Sequence, residues 1–70
     1  MSSWCGSPPE KCDLCGKKFE NEFIDGRTIY GGWWAFMCKE CHVSRGCGLG
    51  TGKGQRYEKK GEGFWVKVEG

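Results

Sequence analysis

Seventy residues with a formal charge of +2 and only 37% apolar side chains make one domain at most. A chain this short buries too little surface for packing alone to hold it firmly. No segment approaches the length of a membrane span, and the first residues, MSSWCGSPPEK, hold no apolar run of signal-peptide length. The six cysteines are therefore expected in a reducing cytoplasm, as metal-bound thiolates rather than as disulfides.

Residues 1–10 are small, polar and Pro-Pro containing, and read as a flexible N-terminal tail in which only Trp4 and Cys5 could dock. Cys5 reads as an idle thiol. The single domain is expected over residues 11–70. It opens on KCDLCGKKF, where the glycine after the second cysteine permits the left-handed turn that points backbone amides at thiolate sulfurs.

Residues 18–37 read as a β-hairpin. Asp25-Gly26 is a strong two-residue turn signal, and its flanks are rich in aromatic and β-branched residues suited to strands. That turn sets Ile24 opposite Arg27, and Gly31-Gly32 then reads as a bulge in the second strand, with an irregular piece starting at Trp33. After the second Cys-x-x-Cys pair, HVSRG allows about one helical turn, because glycine then recurs at 46, 48, 50, 52 and 54 and each costs roughly 1 kcal/mol in a helix. Residues 55–59 and 62–69 read as a second hairpin turning at residues 60–63. In its last strand Phe64, Val66 and Val68 form the inward face, with Trp65 pointing outward.

The two Cys-x-x-Cys pairs, Cys12 with Cys15 and Cys38 with Cys41, are separated by 22 residues. Brought together across a hairpin they supply four sulfurs for a tetrahedral zinc ion with bonds of ~2.3 Å. Iron in a rubredoxin-like site is the alternative, as CDLCGKKF resembles the knuckle and following aromatic residue of that family, although His42 stands where a glycine would follow the second knuckle. Catalytic zinc keeps a position open for water, whereas four thiolates leave none, so the site reads as structural and the chain as no enzyme. A thiol redox enzyme would need free low-pKa thiols, which the metal would occupy. His42 could replace Cys41 as ligand, but reads as lying outside the shell, bonded to backbone or to a sulfur. Cys47 reads as a small buried hydrophobe, with replacement of one cysteine ligand as the alternative.

The run GCGLGTGKGQRY is no nucleotide-hydrolysing loop. Aligned on Gly52-Lys53, the phosphate-loop pattern fails at both ends, and every start of the dinucleotide pattern meets a non-glycine at its last position. Two readings of it remain open. The run could wrap the metal site beneath Trp33, Trp34 and Phe36, where only glycine fits, as an extended segment with all its side chains on one face. It could also cradle phosphates with its bare amides.

Four ionised thiolates and one divalent ion would bring the formal +2 close to zero, so any case for nucleic acid rests on where the charge lies. Acids dominate residues 10–25, whereas over residues 43–60 Arg45, Lys53, Arg56, Lys59 and Lys60 face Glu58 alone. Those five cations, with Trp65 as an exposed stacking residue, are the candidate nucleic-acid contacts. Most of Phe19, Phe23, Tyr30, Trp33, Trp34, Phe36, Tyr57 and Phe64 are expected in the core, since a small zinc domain has little else to build one from.

In order, CDLCG, DGRT, GGWWAFMCKECH and GCGLGTGKGQRY resemble small zinc-finger-like proteins of unassigned role encoded by bacteriophages. Those share a W-A-x-M-C-x-x-C-H and a G-L-G-x-G-x-G-Q arrangement, over residues 12–57 of this chain. The resemblance implies a zinc-binding fold and a viral origin, with the host cytoplasm as its setting, and carries no activity. The expected fold is a small metal-stabilised, mostly β domain of two hairpins. Zinc-ribbon type is favoured over a treble clef, which would open a helix at the second cysteine pair. The expected function is a non-enzymatic module contacting DNA or RNA through residues 45–60. The rival is a module that docks on a host protein, the metal being purely structural. No membrane and no small-molecule substrate are expected.

Overall fold

The computed structural model describes residues 3, 4, 6–61 and 64–70. Cys5 and part of the turn expected at residues 60–63 lie outside them. Four strands form one antiparallel sheet in the order β2-β1-β3-β4: β1 (Glu22–Arg27), β2 (Trp34–Met37), β3 (Gly54–Lys59) and β4 (Trp65–Glu69). One helix, α1 (Lys39–Arg45), follows β2 and packs against β1 and β2. Among the described residues no helix is long and apolar enough to cross a membrane.

The first hairpin turns later than the Asp25-Gly26 signal suggests. Both residues lie inside β1, which pairs Ile24 with Met37 and Arg27 with Trp34. The turn is made instead by Gly31 and Gly32, at φ of 68° and 80°, a left-handed pair that glycine adopts without steric cost. It is closed by the Thr28 amide donating to the Trp33 carbonyl at 2.6 Å and the Trp33 amide to that of Tyr30 at 3.4 Å.

Gly26 serves a different purpose, namely close approach. Its register partner in β3 is Gly54, and a Cβ added to Gly54 would lie 3.1 Å from the Gly26 Cα and 3.0 Å from the Gly48 carbonyl oxygen. Gly54→Ala is therefore expected to push the glycine loop off the sheet, at a cost of about 1–3 kcal/mol. Denaturant unfolding of the metal-loaded chain checks this, and an unchanged midpoint would rule the close approach out.

An aromatic core covers one side of the sheet around Phe23, which is fully buried. Tyr57, its register partner, stacks on it at 5.1 Å between ring centroids, and Trp65 lies at 5.0 Å. Trp4 meets Phe23 edge-on at 5.3 Å and Phe36 at 5.4 Å. The tail thus docks through Trp4, whose amide donates to the Trp65 carbonyl at 2.9 Å while Ser3 bridges Val66. This covers the outer edge of β4, which would otherwise present unpaired backbone groups.

Three expectations about the aromatics and the glycines are corrected. Trp65 is core, 6% exposed beside Val66 at 5%, because strand alternation says that two faces differ without saying that one of them is wet. Phe64 is 51% exposed, and Tyr30, Trp33 and Trp34 also stand in solvent, since the hairpin turns at Gly31-Gly32 and carries them out with its tip. The glycine run is no flat extended segment under those tryptophans. Gly48, Gly50 and Gly52 all take positive φ, and the Gly54 amide folds back to the Gly50 carbonyl at 3.0 Å.

Candidate functional site

Each cysteine pair is placed by its own local structure. In the first, Gly16 takes a φ of 79° and donates its amide to the Cys12 carbonyl at 2.9 Å, while the Cys12 amide bonds the Lys17 carbonyl at 2.8 Å. Asp13 ties this knuckle to β2: its amide donates to the Phe36 carbonyl at 2.8 Å, and its Oδ2 accepts from the Phe36 amide at 2.9 Å. In the second pair, Cys38 is the N-cap residue of α1 and Cys41 lies in its first turn, so an i, i+3 spacing sets both sulfurs on one helix face. The helix runs seven residues, longer than the single turn expected, because no glycine intervenes before Gly46.

All four sulfurs lie within 4.8 Å of one another, three of the residues being buried. Cys15 Sγ and Cys38 Sγ are 3.7 Å apart, against about 3.8 Å for the edge of a tetrahedron with 2.3 Å metal–sulfur bonds. Donor type and spacing therefore both fit a metal ion.

The thiols are held at different proton affinities. Burial works to raise Cys12, but amides of Cys38, Cys15 and Leu14 aimed at its sulfur overcome this and bring it down to about 6. Burial raises Cys38, and it raises Cys41 to about 12, with the neighbouring sulfurs adding to the effect at Cys41. Metal uptake must therefore expel protons from Cys38 and Cys41, so affinity falls as pH falls.

His42 is outside the sulfur cluster, its Nε2–H donating to the Gly48 carbonyl at 2.9 Å. That bond joins α1 to the glycine loop. Cys47, expected to be buried, is exposed and also outside the cluster. Its amide, donating to the Arg27 carbonyl at 3.0 Å, rather than its thiol, holds the loop to the sheet.

The candidate nucleic-acid residues do not converge on one surface. Arg56 is held by three carboxylates, with Nε 2.6 Å from Glu69 and Nη1 2.7 Å from Glu58 and 3.4 Å from Glu22. Hydrogen bonds to Glu58 and then Glu69 raise its pKa further, so its charge is answered within the sheet. Lys60 Nζ lies 3.0 Å from Glu58 Oε1, and bonds to Lys60 and then Arg56 hold that carboxyl below its usual range. Trp65 is interior, and Lys59 is exposed but lies opposite Trp65, at the far end of the sheet from the first hairpin turn.

Arg45 and Lys53 are at the near end. The Arg45 carbonyl accepts from the Ile29 amide at 2.8 Å, and the Lys53 carbonyl from the Arg27 amide at 2.8 Å. They are joined there by Arg27 and by the hairpin-tip aromatics Tyr30, Trp33 and Trp34, none of which the composition singles out. The available signal was Gly31-Gly32: taken as the turn, it puts those side chains at an exposed tip.

Fold and site together define a small mostly-β domain with a four-strand antiparallel sheet, one short helix and four cysteines clustered at metal-binding distance. No family model, curated protein or solved structure matches the chain, so the bacteriophage resemblance rests on the quoted motifs alone.

Proposed function

We propose that this chain is a non-enzymatic binding module folded around one structural zinc ion held by Cys12, Cys15, Cys38 and Cys41, and that nucleic acid is its partner. The 3.7 Å separation of Cys15 and Cys38 within the four-sulfur cluster is the observation that carries the metal reading. Four thiolates close the tetrahedron and leave no position for a reactive water. The second pair sits at the start of α1 instead of in a second glycine-closed knuckle, which favours zinc over rubredoxin-like iron. It also favours a treble-clef type over the zinc ribbon. The motif resemblance adds a bacteriophage origin and a host-cytoplasm setting to this reading.

Support for nucleic acid comes from cations that the protein leaves unanswered. Among the described residues Lys17, Arg56 and Lys60 are matched with glutamates, whereas Arg27, Arg45 and Lys53 make no ion pair, and neither do Lys11, Lys18, Lys39, Lys59 and Lys67. What sets Arg27, Arg45 and Lys53 apart is that their main chains share the end of the sheet that carries the hairpin tip. Three free cations at one end of the sheet predict a salt-dependent affinity with a log–log slope of about −2 to −3. Labelled single-stranded and duplex oligonucleotides titrated between ~50 and ~200 mM salt test this. Absence of binding at the lower salt, or an affinity indifferent to salt, would overturn it.

A further inference from the structure

We propose that the tip of the first hairpin is a stacking platform for single-stranded nucleic acid, with Tyr30, Trp33 and Trp34 receiving unpaired bases and Arg27, Arg45 and Lys53 receiving the phosphates. This rests on the nucleic-acid reading above and supplies its surface and its strand preference.

Exposure is the first observation. Trp33 is 77% exposed, Tyr30 53% and Trp34 49%, in a chain whose core is too small to leave such rings unused without cost. Leaving a large apolar side chain in water forgoes about 1.5–3 kcal/mol of burial, and exposed apolar side chains gathered in one patch are a mark of binding surfaces.

Rigidity is the second. The tip is tied down on both sides: the Thr28 and Trp33 backbones bond each other, the Tyr30 amide donates to Thr28 Oγ1 at 3.2 Å, and the Ile29 amide reaches α1. Thr28 itself is 2% exposed. The rings are therefore presented on a fixed frame, which lowers the entropy lost on binding. Between the tip and the first knuckle runs an apolar groove of about 280 Å³, lined by Leu14, Thr28, Tyr30, Trp33, Trp34 and Ala35, with Asp13 its one charged residue. It gathers all three exposed rings along one apolar surface.

Charge decides the occupant. The Arg27 guanidinium lies over the turn, so close that a Cβ on Gly32 would come 2.9 Å from its Nε. The main chains of Arg45 and Lys53 bond those of Ile29 and Arg27 at the same end, the Lys53 side chain running past Gly48, and none of the three cations has an ion pair among the described residues. Asp13, the one acid in the groove, has its Oδ2 bonded to the Phe36 amide. Aromatic faces among unanswered cations match a strand that offers bare bases and phosphates together. A duplex hides its base faces, so the platform should discriminate against it.

The test uses the zinc-loaded chain with a 12-nucleotide oligo(dT) and a duplex of the same length, followed by tryptophan fluorescence and by anisotropy of a labelled strand. The single strand is expected to bind at least about tenfold tighter and to quench the exposed indoles, and Trp33→Ala and Trp34→Ala to lose about tenfold each. Lys53→Gln should instead lower the salt slope by about one. Equal binding of the duplex, with both tryptophan variants silent and folded by their amide spectra, would overturn the platform and leave the broader nucleic-acid reading intact. No binding of either oligonucleotide at ~50 mM salt would overturn both, and would turn the same surface toward an acidic protein.

Discussion

Removing the metal is expected to unfold this protein outright. Four-sulfur ligation of a structural zinc contributes on the order of 10–16 kcal/mol of apparent binding energy, whereas a core of this size supplies only ~3–5 kcal/mol by itself. The cysteines are also part of that core: Cys12, Cys38 and Cys41 belong to one buried cluster with Phe19, Phe23, Met37 and Trp65. Without a metal ion, no bond to a common centre joins the four sulfurs, and the link between the first knuckle and α1 is lost. Treatment with a strong chelator, or the pair Cys12→Ser and Cys41→Ser, should therefore collapse the dispersion of the amide NMR spectrum. Returning zinc should restore it in the wild-type chain alone. A chelated chain that kept its dispersed spectrum would show that packing suffices.

Phe23→Ala should be the most damaging substitution away from the cysteines. The side chain is fully buried, and its ring meets those of Trp4, Phe19, Phe36, Tyr57 and Trp65. Those contacts join the tail, the knuckle flank and three further strands. Truncating a phenylalanine in a core typically costs about 3–5 kcal/mol, which approaches everything this core supplies. Denaturant unfolding of the zinc-loaded variant reads the loss directly, with Trp33→Ala as a control expected to stay within ~0.5 kcal/mol because its ring stands in water. A loss below ~1 kcal/mol at Phe23 would contradict its place at the centre of the aromatic cluster.

The metal site and the turn that builds the platform differ sharply in how far the sequence reveals them. Two Cys-x-x-Cys pairs carry their chemistry in the spacing itself, since few arrangements other than a shared metal bring four thiols together. The glycine after Cys15 likewise announces the left-handed residue it becomes. Asp25-Gly26 and Gly31-Gly32 offered competing turn signals, and local propensity could not choose between them. The choice is made by the pairing of β1 with β3, which sets Gly26 opposite Gly54, where a Cβ on Gly54 would come 3.1 Å from the Gly26 Cα, and this long-range contact leaves no local trace. From that one displacement follow the errors at Tyr30, Trp33 and Trp34, whose rings move from the expected core to the tip.

Trp65 departs from the sequence expectation for a related reason. The alternating pattern of β4 is present in the sequence, but Trp65 faces the aromatic cluster, 5.0 Å from Phe23, and Val66 beside it is buried as well. Arg56 shows the converse limit. Its charge counts toward a basic segment along the chain, while Glu22, Glu58 and Glu69 converge on it only once the sheet has formed. What survives of the basic segment is Arg45 and Lys53, beside an arginine, Arg27, from outside it.

Everything proposed rests on one closed site of four sulfurs around one zinc ion. X-ray absorption at the zinc edge of the purified chain tests it most directly. The expected result is one zinc per chain with four sulfur neighbours at about 2.3 Å. A shell containing nitrogen from His42, fewer than four sulfurs, or iron in place of zinc would contradict it.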